Sequence, residues 1–244
     1  MTTPTFETQQ RRGRLGPWMG IAFVVLFVAG FIVFSTPNTS SNSASNTAKW
    51  AAWWNDGSHR TMAIIGAYLM VVGVLAFVWF ACSLQQRLHD SADGARMVAF
   101  ASLFAAMALT SALIRAAIPG GKAFGQLGLP GGDLPSQLDN IGQAILLVAG
   151  ALAAGAFVAS ACYAARRSVL FPDWLTIAGY VVAVLQLGAA LFFPFALFPL
   201  WVLVASIVLL VRDARFASGS MAEAHPERKS LRRHHRSEQG LADL

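Results

Sequence analysis

Charge is what this sequence has least of. Asp, Glu, Lys and Arg make up 12% of its 244 residues, against roughly 25% in a soluble domain. With 56% hydrophobic residues and a mean hydropathy of +0.55, an ordinary soluble domain is excluded and a bilayer is the expected solvent. Cysteine is nearly absent too. Cys82 and Cys162 both fall near helix ends expected in the cytoplasm, where thiols stay reduced, so they are read as packing residues and not as a disulfide. The apolar runs also lack the groups that do chemistry. Arg115 is the one ionisable residue well inside them, and all five histidines lie in loops or tail. Proton-coupled transport and acid–base catalysis normally need buried carboxylates, histidines or lysines, so both are disfavoured. No HExxH, no Ser/His/Asp set and no Cys/His cluster occurs, so no catalytic residue, metal ligand or cofactor site is expected.

What is present is apolar length. Windows of about 20 residues place six spans near 18 to 35, 61 to 83, 97 to 118, 140 to 164, 174 to 192 and 196 to 212. The fold expected is an all-α, polytopic membrane helix bundle with six transmembrane helices. Residues 1–16 form a disordered cytoplasmic head, 17–212 the membrane domain and 213–244 a basic cytoplasmic tail. The parity turns on Trp174 to Val211, a run of 38 residues without a charge or a histidine. At about 1.5 Å per residue it is nearly twice the length needed to cross a hydrocarbon core of about 30 Å. A hairpin broken at Phe192-Phe193-Pro194-Phe195 is expected, because proline lacks the helical donor and disfavours helix just before it.

The basic residues agree with that parity. With six spans, Arg11, Arg12, Arg14, Arg87, Arg96, Arg166, Arg167 and every basic residue from Arg212 to Arg236 share one side. Lys49, Arg60 and Lys122 fall on the other. Cytoplasmic loops retain positive charge, which puts both termini in the cytoplasm and the chain, as a multi-pass protein, in the plasma membrane. The net charge of +6 is therefore a topology signal, with lipids as the expected partners and nucleic acid not one of them. The block Arg228 to Arg236 either touches an anionic inner leaflet or simply fixes the tail in solvent.

Between the spans, Ser35 to Thr47 reads as a flexible linker. Trp50, Trp53 and Trp54 then share one face of a helical turn, and are expected to anchor a short helix at the outer interface; an aromatic ligand platform is the rival. Asp56 or Ser58 caps the next helix. Gly120-Gly121-Lys122 fails as a phosphate loop because Ala123 stands where Ser or Thr is required. His89 with Asp90 and Asp93 matches no metal-site spacing. The basic head followed by Ile21 to Phe34 could be read as a signal peptide, but no small-x-small site follows closely, and the first span is expected to stay attached.

Two constellations remain. Ser111 with Arg115, and Asp139 with Gln143, are i, i+4 pairs on the third and fourth spans; Thr110 and Gln186 lie in the same, outer half. Three readings of Arg115 stay open: an ion pair with Asp139, snorkelling to the headgroups, or a polar ligand pocket including Gln143, Gln186 and Ser111. On the fourth span, Gly150/Ala154 and Ala151/Gly155 form two small-xxx-small pairs, which let another helix approach closely and put this helix at the bundle centre.

At Trp53-Trp54-Asn55-Asp56 with His59-Arg60, Gly66-Ala67-Tyr68-Leu69, Pro172-Asp173-Trp174-Leu175 and Pro199-Leu200-Trp201-Val202-Leu203-Val204, the chain resembles a group of uncharacterised actinobacterial six-span integral membrane proteins. More distantly it resembles the domain-of-unknown-function family DUF4386. The resemblance spans residues 15 to 212 and implies a six-helix protein of the plasma membrane. It brings no activity or ligand. The expected function is non-enzymatic, through helix packing with a second copy or a membrane-protein partner; the alternative is a carrier or binding protein for a lipid or other apolar molecule.

Overall fold

The computed structural model describes residues 6–34, 43–88, 91–123, 125, 134–191 and 193–215, and every regular element among them is helical. In order these are α1 (Phe6–Val33), α2 (Ser43–Asn55), α3 (Gly57–Arg87), α4 (Ser91–Ala123), α5 (Leu134–Arg167), α6 (Asp173–Leu185) and α7 (Pro194–Arg215). The chain forms two units, Met1–Ser206 and Ile207–Leu244. Of the second, the described residues are the last of α7.

Helices are the necessary solution for so apolar a chain, because a backbone in hydrocarbon has to satisfy its own N–H and C=O groups. Five of them, in α1, α3, α4, α5 and α7, are long and apolar enough to cross a membrane. The remaining expected span, 174 to 192, is the shorter one. Its α-helix stops at Leu185 and continues as a 3-10 helix over Gln186–Leu191, with a second 3-10 turn at Phe193–Ala196. The break thus begins six residues before the expected Phe192, at Gln186, whose Nε2 donates to the Pro194 carbonyl across the turn at 2.9 Å. A side chain that closes a turn in this way competes with the helical ladder.

Two other boundaries differ from expectation. α1 starts at Phe6, inside the head expected to be disordered, where Glu7, Gln9, Gln10, Arg11 and Arg12 are all good helix formers. α2 starts at Ser43, inside the expected linker. The basic tail beyond Arg215, His89 and Asp90 lie outside the described residues.

The interior is built from phenylalanine. Phe23 and Phe27 of α1, Phe77 of α3, Phe104 of α4, Phe157 of α5 and Phe198 of α7 are all fully buried. Their centroids stand close together: Phe23–Phe77 5.0 Å, Phe77–Phe104 5.2 Å, Phe77–Phe157 5.0 Å and Phe104–Phe198 4.8 Å. Most of these contacts are edge-to-face, the arrangement the ring quadrupole favours. In lipid, helices gain little from burying apolar surface, so such dense packing is what holds them together.

α1 and α3 come closest. A Cβ on Gly30 would stand 2.7 Å from the Gly66 carbonyl oxygen, and one on Gly66 would stand 2.9 Å from that of Gly30. The two backbones are in contact at this crossing, which only glycine allows.

Candidate functional site

One group of buried polar residues lies near the end of the bundle that carries α2. Arg115 of α4 and Asp139 of α5 are each only 6% exposed. The Arg115 Nε donates to Asp139 Oδ1 at 2.7 Å, and Gln143 Nε2, one turn along α5, donates to Asp139 Oδ2 at 2.8 Å. Both carboxylate oxygens therefore have a donor. The guanidinium lies over aromatic rings at the end of α1 and just past it, its Cζ 5.9 Å from the Phe31 centroid and 4.3 Å from that of Phe34. Cation–π contact of this kind gains strength in a desolvated setting. Nη1 of the same guanidinium is buried and has no hydrogen-bond partner.

Local structure of α5 makes room for this. A Cβ on Gly142 would collide with Arg115 Cγ, so glycine lets the arginine stem lie across the helix. The Gly142 carbonyl accepts a 2.6 Å bond from Ser111 Oγ. Three residues later the ladder widens into a π-helical turn over Ile145–Gly150. π-helical turns inside α-helices are rare and are frequently found at specialised positions.

α2 closes this end. Trp50 and Trp54 are buried in an apolar cluster with Phe34, Ala63 and Ile118, and Trp53 stacks on His59 with centroids 3.6 Å apart. Arg60 Nη1 donates to the carbonyls of Trp54 (2.6 Å) and Asn55 (2.9 Å), and Lys122 Nζ donates to Asn55 Oδ1. Cations on the last carbonyls of a helix also suit its dipole. Of the tryptophans expected as bilayer anchors, Trp50 and Trp54 point into the protein, where Phe34 and Ile118 offer their rings an apolar surface, and Trp53 is partly buried. Asp56 caps α3 by accepting from Ser58 N at 2.8 Å, and this backbone bond is the main reason its carboxyl is held below the ordinary value.

Other candidates lie apart. Gln186 is 2% exposed, but it closes the α6–α7 turn and makes no hydrogen bond to Arg115. Thr110 is exposed. Gly150, Ala151, Ala154 and Gly155 are buried, and a Cβ on Gly155 would stand 3.0 Å from the Ala183 carbonyl oxygen and 3.1 Å from Gln186 Cβ. The small-residue face thus seats the helical segment that follows α5 in the same chain.

One grouping is not evident from sequence spacing. Asp93 at the start of α4 is buried and pairs with Arg167 at the end of α5, Nη1 to Oδ2 at 3.1 Å. Arg167 Nη2 donates to Tyr163 OH at 2.6 Å, and Arg96 approaches Asp93 from the solvent side at 3.5 Å. The partners are 74 residues apart, and each reads alone as a loop charge. Among the described residues no group of three His, Cys, Asp or Glu could hold a metal ion.

Two apolar grooves indent the surface. One of about 300 Å³ lies between α1 and α7, the other of about 370 Å³ between α3 and α4; Arg115 and Gln186 line neither. An all-helical bundle with five apolar helices of crossing length fits a membrane protein. No protein-family model, curated protein or solved structure matches the chain.

Proposed function

We propose that this chain is a six-span protein of the plasma membrane with both termini cytoplasmic, working without catalysis through helix packing with a second copy or a membrane-protein partner. The sixth crossing rests on reach. Thirteen α-helical residues of α6 at about 1.5 Å and six 3-10 residues at about 2.0 Å extend about 31 Å, enough for a hydrocarbon core of about 30 Å. An even number of crossings returns the basic tail to the side of the basic head, as positive charge in cytoplasmic segments favours.

The observation that carries the packing reading is the filled interior. Interlocked phenylalanines occupy the centre, and the two buried carboxylates among the described residues are both engaged, Asp139 by Arg115 and Gln143 and Asp93 by Arg167. Association then falls to the outer faces, since the small-residue face of α5 is used within the chain. α6 offers Trp174, Ile177, Val181 and Val184, all exposed and spaced along one helix face. Val181→Cys in native membranes tests this: a disulfide-linked dimer or a cross-linked partner is expected. An uncross-linked chain here and at Ile177→Cys would contradict it.

The α1/α7 groove favours a second reading, lipid binding, because its walls are apolar and it opens sideways.

A further inference from the structure

The α1/α7 groove has a polar group near its wall. Phe27, Val28, Phe31 and Ile32 on one side, with Phe195 and Leu200 on the other, help enclose its volume of about 300 Å³. Val28, Ile32 and Leu200 are exposed, so the groove opens on the outer, apolar face of the bundle. In a bilayer that face meets acyl chains. Phe31 belongs to two places at once: its ring lines the groove, and the same ring lies 5.9 Å from Arg115 Cζ. Within reach of that ring, Arg115 Nη1 is buried without an acceptor while Nε is committed to Asp139. A half-buried phenylalanine side chain thus belongs both to the wall of an apolar groove and to the surroundings of an unsatisfied donor.

We infer that this groove holds one acyl chain of a membrane glycerolipid, whose ester carbonyl oxygen accepts from Arg115 Nη1 when Phe31 swings aside. Three observations select that ligand. The walls take only an apolar chain. The charge of Arg115 is already offset by Asp139, so the remaining donor suits a neutral acceptor better than a second anion. α4 continues eight residues past Arg115 to Ala123, about 12 Å of helix, so a group set deeper than the helix end, as an ester is relative to a headgroup phosphate, is the nearer match to the guanidinium. The inference rests on the bilayer-embedded reading and deepens its lipid-binding version.

The test uses the full chain, purified in mild detergent, stripped of lipid and titrated with dioleoylphosphatidylglycerol, with adducts counted by native mass spectrometry. One tight adduct per chain is expected. The ether-linked analogue, which has no ester carbonyl, should bind about tenfold more weakly, the equivalent of one lost hydrogen bond of about 1.4 kcal/mol. Val28→Trp and Leu200→Trp, which fill the groove from opposite walls at exposed positions, should each lower retention by about the same factor or more. Phe31→Ala, which removes the shared ring, should raise it. Equal binding of ester and ether lipids to the unaltered protein would overturn the carbonyl contact, and equal retention by both tryptophan variants would overturn the groove. Failure of the embedded reading looks different: the chain would be released from membranes by alkaline carbonate whatever its lipid adducts.

Discussion

Arg115 Nε and Asp139 Oδ1 stand 2.7 Å apart, with both side chains almost wholly buried, and they join α4 to α5 across 24 residues of sequence. Breaking such a pair costs more than removing it. Asp139→Asn leaves a buried guanidinium without its counter-charge and is expected to destabilise the protein by about 3–5 kcal/mol. The double replacement Arg115→Met with Asp139→Leu should recover most of that loss, since a buried pair exchanged for apolar residues is often neutral. Thermal unfolding of the three variants in detergent reads the difference. A double variant as unstable as Asp139→Asn would show that the polar contacts themselves hold the helices.

Space at two glycines makes opposite demands. Gly66 faces the α1 backbone, with Gly30 O and Phe34 N each 2.9 Å from where a Cβ would stand, and Gly120 has nothing within 4 Å. Gly66→Ala is expected to cost about 1–3 kcal/mol by overpacking. Gly120→Ala, inside α4, should gain up to about 0.5–1 kcal/mol by helix propensity. Chemical or thermal unfolding of both distinguishes the two, and equal effects would contradict the close α1–α3 crossing.

The Asp56 cap gives a pH dependence of known sign. Its carboxyl is held below the ordinary value, chiefly by the Ser58 N–H and then by the Ser58 hydroxyl. A depressed carboxylate contributes order above its unfolded value, and that contribution is lost as pH falls through the lowered folded value. The protection of the Ser58 amide, the intrinsic exchange rate over the observed one at the same pH, should therefore fall on acidification below the ordinary carboxylate range. In Asp56→Ala that protection should be low throughout, with no acid transition.

Much of this was legible in the sequence, and the reasons are physical. The spans follow from apolar length, and Arg115 with Asp139 from the scarcity of charge: two ionisable residues near the same ends of neighbouring helices have few other partners. The hairpin break was located near proline but not at Gln186, because a side chain reaching the Pro194 carbonyl leaves no trace in residue spacing. The tryptophan face of α2 was visible as a face, yet its partner was not. Amphipathic spacing is the same whether the apolar side meets lipid or, as here, Phe34 and Ile118. Likewise the small residues of α5 declared a close approach without declaring whose helix makes it.

The reading as a whole depends on Trp174 to Val211 crossing the bilayer twice. The most direct measurement is labelling of single cysteines in intact cells with a membrane-impermeant maleimide, in a Cys82→Ser, Cys162→Ala background. Lys122→Cys should react from outside, and Arg215→Cys only after the membrane is permeabilised. Labelling of Arg215→Cys in unbroken cells, with Lys122→Cys also labelled, would mean a single crossing and would contradict the six-span topology.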